Sequence, residues 1–116
     1  GENPLYLPQA KCYDGSAALG PCLYVTADPI DPATIIQISI RRKESTVFEG
    51  QVSINRMKRK HVELGNFLFR ELSFPFGAYL MTGTGIVPPD HFSLTPGDEV
   101  TISIEPIGRL TNQVTG

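Results

Sequence analysis

The segment that decides the fold class reads IQISIR at residues 36–41, where isoleucines at 36, 38 and 40 alternate with polar side chains. Successive side chains of a β-strand point to opposite faces, so this alternation predicts a strand that buries one face and exposes the other. The polar sequence Arg42-Lys43-Glu44-Ser45 then favours a turn, and residues 47–52 can return as a second strand. The segment therefore predicts a β-hairpin.

The same alternation returns near the end of the chain, in VTISI at residues 100–104. Pro96-Gly97 precedes it and presets a tight turn, because proline fixes the first central residue and glycine accepts a positive φ at the second. A short last strand from Leu110 to Val114 is expected after a turn at Gly108.

One segment has a helical period instead. Leu64, Leu68 and Leu72 fall on one stripe, which predicts a helix over about residues 58–72 that ends before Pro75. One helix among several strands predicts a mainly β domain. A sandwich or rolled sheet fits this content better than a parallel α/β arrangement, which needs several crossover helices.

Length, charge and hydropathy exclude several classes of protein. A chain of 116 residues is one domain, here residues 1–116, and its net charge of -2 gives no general attraction for nucleic acid. The longest uncharged stretch, residues 72–89, is broken by prolines and glycines and is no membrane helix. No signal peptide is apparent at the start. We expect a soluble cytoplasmic protein that binds neither nucleic acid nor membrane.

The two cysteines, Cys12 and Cys22, form no disulfide framework and lack the spacing of a zinc site, so buried free thiols are expected. His61 and His91 have no acid or cysteine at ligand spacing. The basic cluster Arg56, Lys58, Arg59 and Lys60 is expected to be a solvated or partner-facing patch. Asp98 follows the Pro-Gly pair and is expected to serve that turn.

Two features are candidates for chemistry. Lys11 is the sole Lys or Arg among the first forty residues. It is either a solvated surface lysine or a compact cation at a site edge, able to stabilise a carboxylate or an enolate oxygen. Thr82-Gly83-Thr84-Gly85 is a small, glycine-rich loop that lets backbone N–H groups approach an anion, although such loops also simply make turns.

Taken in order along the chain, these pieces resemble the carboxy-terminal part of the fumarylacetoacetate hydrolase family. The matching elements are Gln9-Ala10-Lys11 with Gly20-Pro21, the strand ending in Arg41-Arg42, the helix after Met57, Thr82-Gly83-Thr84, Leu94-Thr95-Pro96-Gly97-Asp98 and Ile107-Gly108-Arg109-Leu110-Thr111-Asn112. Residues 5–11 and 82–89 lean toward the branch that contains 2-keto-3-deoxy-D-arabinonate dehydratase. Hydrolases of the family usually have proline where Gly85 stands.

The resemblance implies a mixed β-sandwich or β-roll and, in complete members, a divalent metal that chelates a 2-oxo acid. The metal is usually magnesium, with manganese or calcium as alternatives. A Glu-x-Glu pair and an Asp upstream of the lysine hold it, and this chain has none of the three. By the same resemblance Lys11 would stabilise an enolate, and Gly83 and Thr84 would bind the substrate carboxylate or a reacting oxygen.

The first hypothesis is therefore a carboxy-terminal fragment of a longer, homodimeric 2-keto-3-deoxy sugar acid dehydratase, inactive alone because the metal ligands lie on the missing amino-terminal portion. The second is a hydrolase that cleaves a carbon–carbon bond of an acylpyruvate. The third is a β-sandwich module that binds a partner or a small anion without chemistry.

Overall fold

The structure is a computed structural model that describes residues 12–116. The described chain contains four strands and one α-helix: β1 (Ile35–Arg42), β2 (Ser45–Ser53), α1 (His61–Leu68), β3 (Glu99–Ile104) and β4 (Gly108–Gln113). A single 3-10 turn, Ile54–Arg56, links β2 to α1. The strands form one antiparallel sheet in the order β2-β1-β3-β4. The predicted mainly β fold with one α-helix is confirmed.

The period-two pattern sorts the sheet into an apolar and a polar face. Ile36, Ile38 and Ile40 of β1 lie directly opposite Ile104, Ile102 and Val100 of β3. Paired residues share a face, so these side chains form one apolar layer. Ile40, the last of the three toward the β1–β2 turn, is only 3% exposed. The other face carries the intervening polar residues, such as Gln37, Ser39, Thr101 and Ser103.

The predicted hairpin is confirmed, with one irregularity. Arg42 pairs with Ser45, which leaves Lys43 and Glu44 as a two-residue turn, and Lys43 has a φ of +57°. Ile40 pairs with Phe48 and Arg41 with Thr46, so Val47 is an extra residue in β2. This bulge resets the alternation, and Phe48, not Val47, therefore joins the apolar face.

The turn at Pro96-Gly97 is also confirmed. The Asp98 N–H donates to the Thr95 carbonyl at 3.0 Å, and Gly97 has a φ of +90°. The last strand differs slightly from its prediction, since β4 begins at Gly108 and not at Leu110. Val114 lies just beyond β4 and bonds to the turn, because its N–H donates to the Asp98 carbonyl at 2.8 Å.

The helix is shorter than the predicted 58–72, at both ends. Lys60 is extended, with φ −73° and ψ +145°, and α1 begins only at His61. Consecutive cations at residues 58–60 oppose the positive end of the helix dipole, which disfavours a helical start there. At the other end the Phe69 N–H donates to the Gly65 carbonyl and the chain then leaves the helix. The Phe69 ring packs edge-on against Phe74, with centroids 5.5 Å apart.

Much apolar surface is left uncovered. The chain exposes 9901 Å², whereas a compact monomer of 12.7 kDa exposes about 6,200 Å². Within residues 12–116, Ile40 is the only hydrophobic residue that is buried. The Phe76 side chain is 101% exposed. The described residues thus form one layer of a structure whose apolar surface needs further cover.

The cysteine prediction is wrong in one respect. Both thiols are free, but Cys12 and Cys22 are exposed instead of buried. Cys22 lies against the β3–β4 connection, where its Sγ is 3.5 Å from the Ile107 carbonyl oxygen.

No helix in the described part of the chain is long and apolar enough to cross a membrane.

Candidate functional site

A cavity of about 450 Å³ opens at the end of the sheet where β2 leads into α1. Its lining combines the glycine-rich loop with apolar and basic side chains. Its lining comprises Ile36, Val52, Ser53, Ile54, Arg56, Met57, Lys58, Arg59, Leu64, Thr82, Gly83, Thr84 and Gly85.

The loop at residues 82–85 is held by its own hydrogen bonds. The Thr84 hydroxyl donates to the Ile86 carbonyl at 3.0 Å and accepts from the Ile86 N–H at 3.3 Å. Gly83 has a φ of +95°, which a side chain would disfavour. Within residues 12–116 the backbone N–H groups of Gly83 and Thr84 have no hydrogen-bond acceptor. They are therefore available to an anion.

Glycines bring this loop close to β2. A Cβ added at Gly85 would lie 3.1 Å from Cγ2 of Val52, and one added at Gly50 would lie 2.8 Å from Cγ2 of Ile86. Each glycine thus faces a branched side chain on the opposite segment. The two reciprocal contacts fix the separation of loop and strand at two successive positions.

The edge of the cavity is positively charged. Arg56, Lys58 and Arg59 line it and are exposed. In the part of the chain that the structure describes, the single ion pair joins Arg42 and Asp98, so these three cations have no carboxylate partner there. The lining also contains the apolar side chains of Ile36, Val52 and Leu64. The cavity therefore suits a small anion with an apolar or uncharged body.

A second polar cluster lies at the other end of the sheet and is fully paired. Arg42 Nε and Nη2 each lie 2.8 Å from a carboxylate oxygen of Asp98, and Nη2 also donates to the Ser93 carbonyl at 2.9 Å. Thr95 adds its N–H at 2.9 Å and its hydroxyl at 3.2 Å to the same carboxylate. Asp98 is 0% exposed, and the Phe92 ring centroid lies 5.9 Å from the guanidinium carbon.

These contacts shift the pKa of both Asp98 and Arg42. The hydrogen bond from Arg42, followed by that from the Thr95 N–H, lowers the pKa of Asp98 far below its usual value of 3.8. The same hydrogen bond raises the pKa of Arg42. Both groups stay charged at neutral pH, so the pair holds the end of β1 to the turn before β3 and takes no part in proton transfer.

The pair was not among the sequence predictions, although one signal for it was available. Arg42 continues the even-numbered phase of Ile36, Ile38 and Ile40 and so faces the apolar side of the sheet. A charged residue in that phase needs a buried partner. Asp98 does more than serve the turn, because its carboxylate is that partner.

The other site predictions have different outcomes. Lys11 lies outside the described residues, so its role stays a prediction. Gly83 and Thr84 do line the cavity, together with three members of the basic cluster that was expected to be only a solvated or partner-facing patch. His61 and His91 do not line it.

No metal centre is formed by the described residues alone. Within residues 12–116, no three His, Cys, Asp or Glu side chains are grouped so as to hold an ion. Magnesium prefers oxygen ligands, carboxylates above all. This part of the chain therefore does not fit a magnesium ion by itself.

Two curated relatives of the chain are named as dehydratases. It is 40% identical over 116 residues to a Haloferax volcanii protein named "Probable 2-keto-3-deoxyxylonate dehydratase". It is 44% identical over 115 residues to the 2-dehydro-3-deoxy-D-arabinonate dehydratase of Saccharolobus solfataricus. These matches cover 99% and 97% of this chain, but only 40% and 38% of the relatives.

Solved structures agree. A 2-keto-3-deoxy-D-arabinonate dehydratase complexed with magnesium and 2,5-dioxopentanoate superimposes with a TM-score of 0.91 at 41% identity. The match covers 98% of this chain and 41% of that one, and the apo form gives the same values. Residues 2–115 also match the family model described as fumarylacetoacetate hydrolase C-terminal. The chain therefore belongs to the fumarylacetoacetate hydrolase family.

Proposed function

We propose that this chain is the carboxy-terminal catalytic-domain fragment of a longer enzyme that dehydrates a 2-keto-3-deoxy sugar acid. The observation that carries the proposal is the cavity at the end of the sheet, where the loop at residues 82–85 faces Arg56, Lys58 and Arg59. Relatives named as dehydratases, 40% and 44% identical, support the reaction class.

The residues that line the cavity match a 2-oxo acid in charge. The N–H groups of Gly83 and Thr84, which have no acceptor within residues 12–116, point to an anionic oxygen as ligand. The three cations attract a carboxylate from solution. The apolar part of the lining lets the carbon chain displace water. We assign Gly83 and Thr84 to substrate binding on this basis.

The reaction removes one water molecule. A base takes the proton from C3, and the electron pair moves toward the 2-oxo group to give an enolate. The enolate then collapses, the bond from C4 to its hydroxyl oxygen breaks, and the hydroxide takes up a proton and leaves as water. This leaves a C3=C4 double bond beside the C5 alcohol. Loss of protons from C5 and its hydroxyl, with protonation of C4 and C3, then converts this alkenol to its isomer 2,5-dioxopentanoate. We propose that the Lys11 ammonium stabilises the negative charge on the enolate oxygen.

The remaining parts belong to the longer protein. The chain spans 38–41% of the relatives it matches, and its uncovered apolar surface needs a further layer. We propose that an amino-terminal portion supplies this cover and the ligands for magnesium, since residues 12–116 lack them. We further propose a cytoplasmic homodimer, which light scattering and cell fractionation of the full-length protein would test.

The test is a product assay on the full-length protein with magnesium. Incubation with 2-keto-3-deoxy-D-arabinonate or the xylonate should yield 2,5-dioxopentanoate. Carbon–carbon cleavage of an acylpyruvate in place of dehydration would show a hydrolase. Binding without turnover of either substrate would show a non-catalytic module.

Lys11→Ala tests the catalytic assignment in the same protein. Its kcat should fall by roughly 100-fold or more, as on loss of an oxyanion-stabilising group, with magnesium affinity little changed. Lys43→Asn is the matched control, because it removes a lysine charge from an exposed turn and asparagine tolerates the positive φ there. A wild-type kcat in Lys11→Ala would remove Lys11 from the mechanism.

A further inference from the structure

The contact between Gly85 and Val52 joins the loop to the sheet at the cavity itself. Both residues line the cavity, and a Cβ at position 85 would lie 3.1, 3.5 and 3.7 Å from Cγ2, Cγ1 and Cβ of Val52. The first distance is shorter than an ordinary van der Waals contact. Any residue other than glycine must therefore move the loop or Val52 by a few tenths of an ångström.

Val52 has little freedom to yield. It is a β-branched residue in β2 with a restricted χ1, it is half-buried, and it pairs directly with Ile36 of the central strand. Two residues earlier on the same face of β2, Ile86 already fills the space above Gly50. An added methyl group would therefore push the loop away from the strand.

Thr84 is coupled to this contact through its own hydrogen bonds. Its hydroxyl bonds to both the N–H and the carbonyl of Ile86, which lies directly after Gly85. A shift of the loop at Gly85 therefore moves the Thr84 hydroxyl and the adjacent backbone N–H groups together.

We propose that Gly85 and Val52 form a positioning pair that sets the height of the loop at residues 82–85 over the cavity. The pair thereby fixes where Thr84 and the Gly83 N–H meet the substrate. This inference rests on the proposed function, because it concerns the same site, but it assigns a role to two residues that need not touch the substrate.

The experiment is a double-mutant cycle in the full-length protein with magnesium, using Gly85→Ala, Val52→Ala and both together. Gly85→Ala should lower kcat/KM about 10-fold, mainly through kcat, because small displacements of a substrate-positioning group are costly. Val52→Ala should lower kcat/KM about 3-fold, because it removes the side chain that the loop rests on, and the double variant should be no more impaired than Val52→Ala alone, because the smaller side chain makes room for the added methyl.

Thermal unfolding separates positioning from packing. Gly65→Ala is the matched control, since a Cβ there meets nothing within 4 Å and should leave kcat/KM unchanged. Recovery of kcat/KM in the double variant, beyond any recovery of Tm, supports the proposal. Wild-type kcat/KM in Gly85→Ala, a double variant as impaired as the product of its singles, or coupling confined to Tm would each overturn it.

A ligand titration keeps the two proposals apart. If the wild type turns over no 2-keto-3-deoxy acid, the proposed function fails, and the affinity for 2,5-dioxopentanoate replaces kcat/KM in the same cycle. Weaker binding in Gly85→Ala and recovery in the double variant would still support the pair. Equal binding by all variants, or none by the wild type, would overturn it.

Discussion

The two ends of the sheet differ in whether their cations have a carboxylate partner within residues 12–116. At one end Arg42 is tied to Asp98 by two bonds of 2.8 Å and to the Ser93 carbonyl by a third. At the other end Arg56, Lys58 and Arg59 edge a cavity and meet no carboxylate among residues 12–116. The paired charges at the first end stabilise the fold. The cations at the second end, which have no carboxylate partner within residues 12–116, can bind a ligand.

The largest effect is expected at the paired end. Asp98→Asn leaves a buried amide opposite the Arg42 guanidinium and should lower the Tm of the full-length protein more than any substitution at the cavity end. Glu99→Gln is the matched control, because it removes a carboxylate from the neighbouring exposed position, where substitutions usually change stability by no more than about 0.5 kcal/mol. Equal Tm values for the two variants would show that the pair does not stabilise the sheet.

A smaller effect on Tm is expected when the pH is lowered, because the Arg42–Asp98 pair depends on the charge of Asp98. The pKa of Asp98 is lowered in the folded state, so below its usual value of 3.8 the unfolded chain binds a proton that the folded chain does not. Its contribution to stability is complete at neutral pH and is lost as the pH falls from about 5 toward the folded pKa. Tm measured from pH 7 to pH 2 should fall more steeply for wild type than for Asp98→Asn. Parallel curves would contradict this.

The smallest effect is expected at the unpaired end. Arg56→Gln, Lys58→Gln and Arg59→Gln should each raise KM for the 2-oxo acid roughly 2- to 5-fold, the range of a single exposed charge interaction, with Tm unchanged. Added salt should raise the wild-type KM and have less effect on the triple variant. Arg109→Gln, an exposed cation on the polar face of the sheet, is the control. An unchanged KM in all three single variants would show that these cations do not serve the substrate.

Local patterns predicted the strands and turns because each depends on neighbouring residues. The alternation at residues 36–40 fixed which face of β1 is apolar, and Pro96-Gly97 fixed the turn before β3. The predicted start of α1 was wrong because the stripe of leucines at 64, 68 and 72 was given more weight than the cations at 58–60, which oppose the positive end of the helix dipole. Helix ends depend on such terminal charges more than on periodicity.

The site was only partly predictable because its parts are distant in sequence. Gly83 and Thr84 were identified by composition and family resemblance, but the cations at 56–59 join them only through the packing of the loop on β2. Asp98 and Arg42 are 56 residues apart and meet only because β1 pairs with β3. No single-sequence pattern encodes that pairing.

The strand order also sets the order in which the sheet can assemble. Each outer strand is joined to its inner neighbour by a tight turn, so two local hairpins can form with little loss of chain entropy. The pairing of β1 with β3 instead joins two strands that are separated by a long intervening segment, and non-local pairing of this kind slows folding. We expect the Arg42–Asp98 pair to form late in folding, once β1 and β3 have paired. Its removal should speed unfolding and leave the formation of either hairpin unaffected.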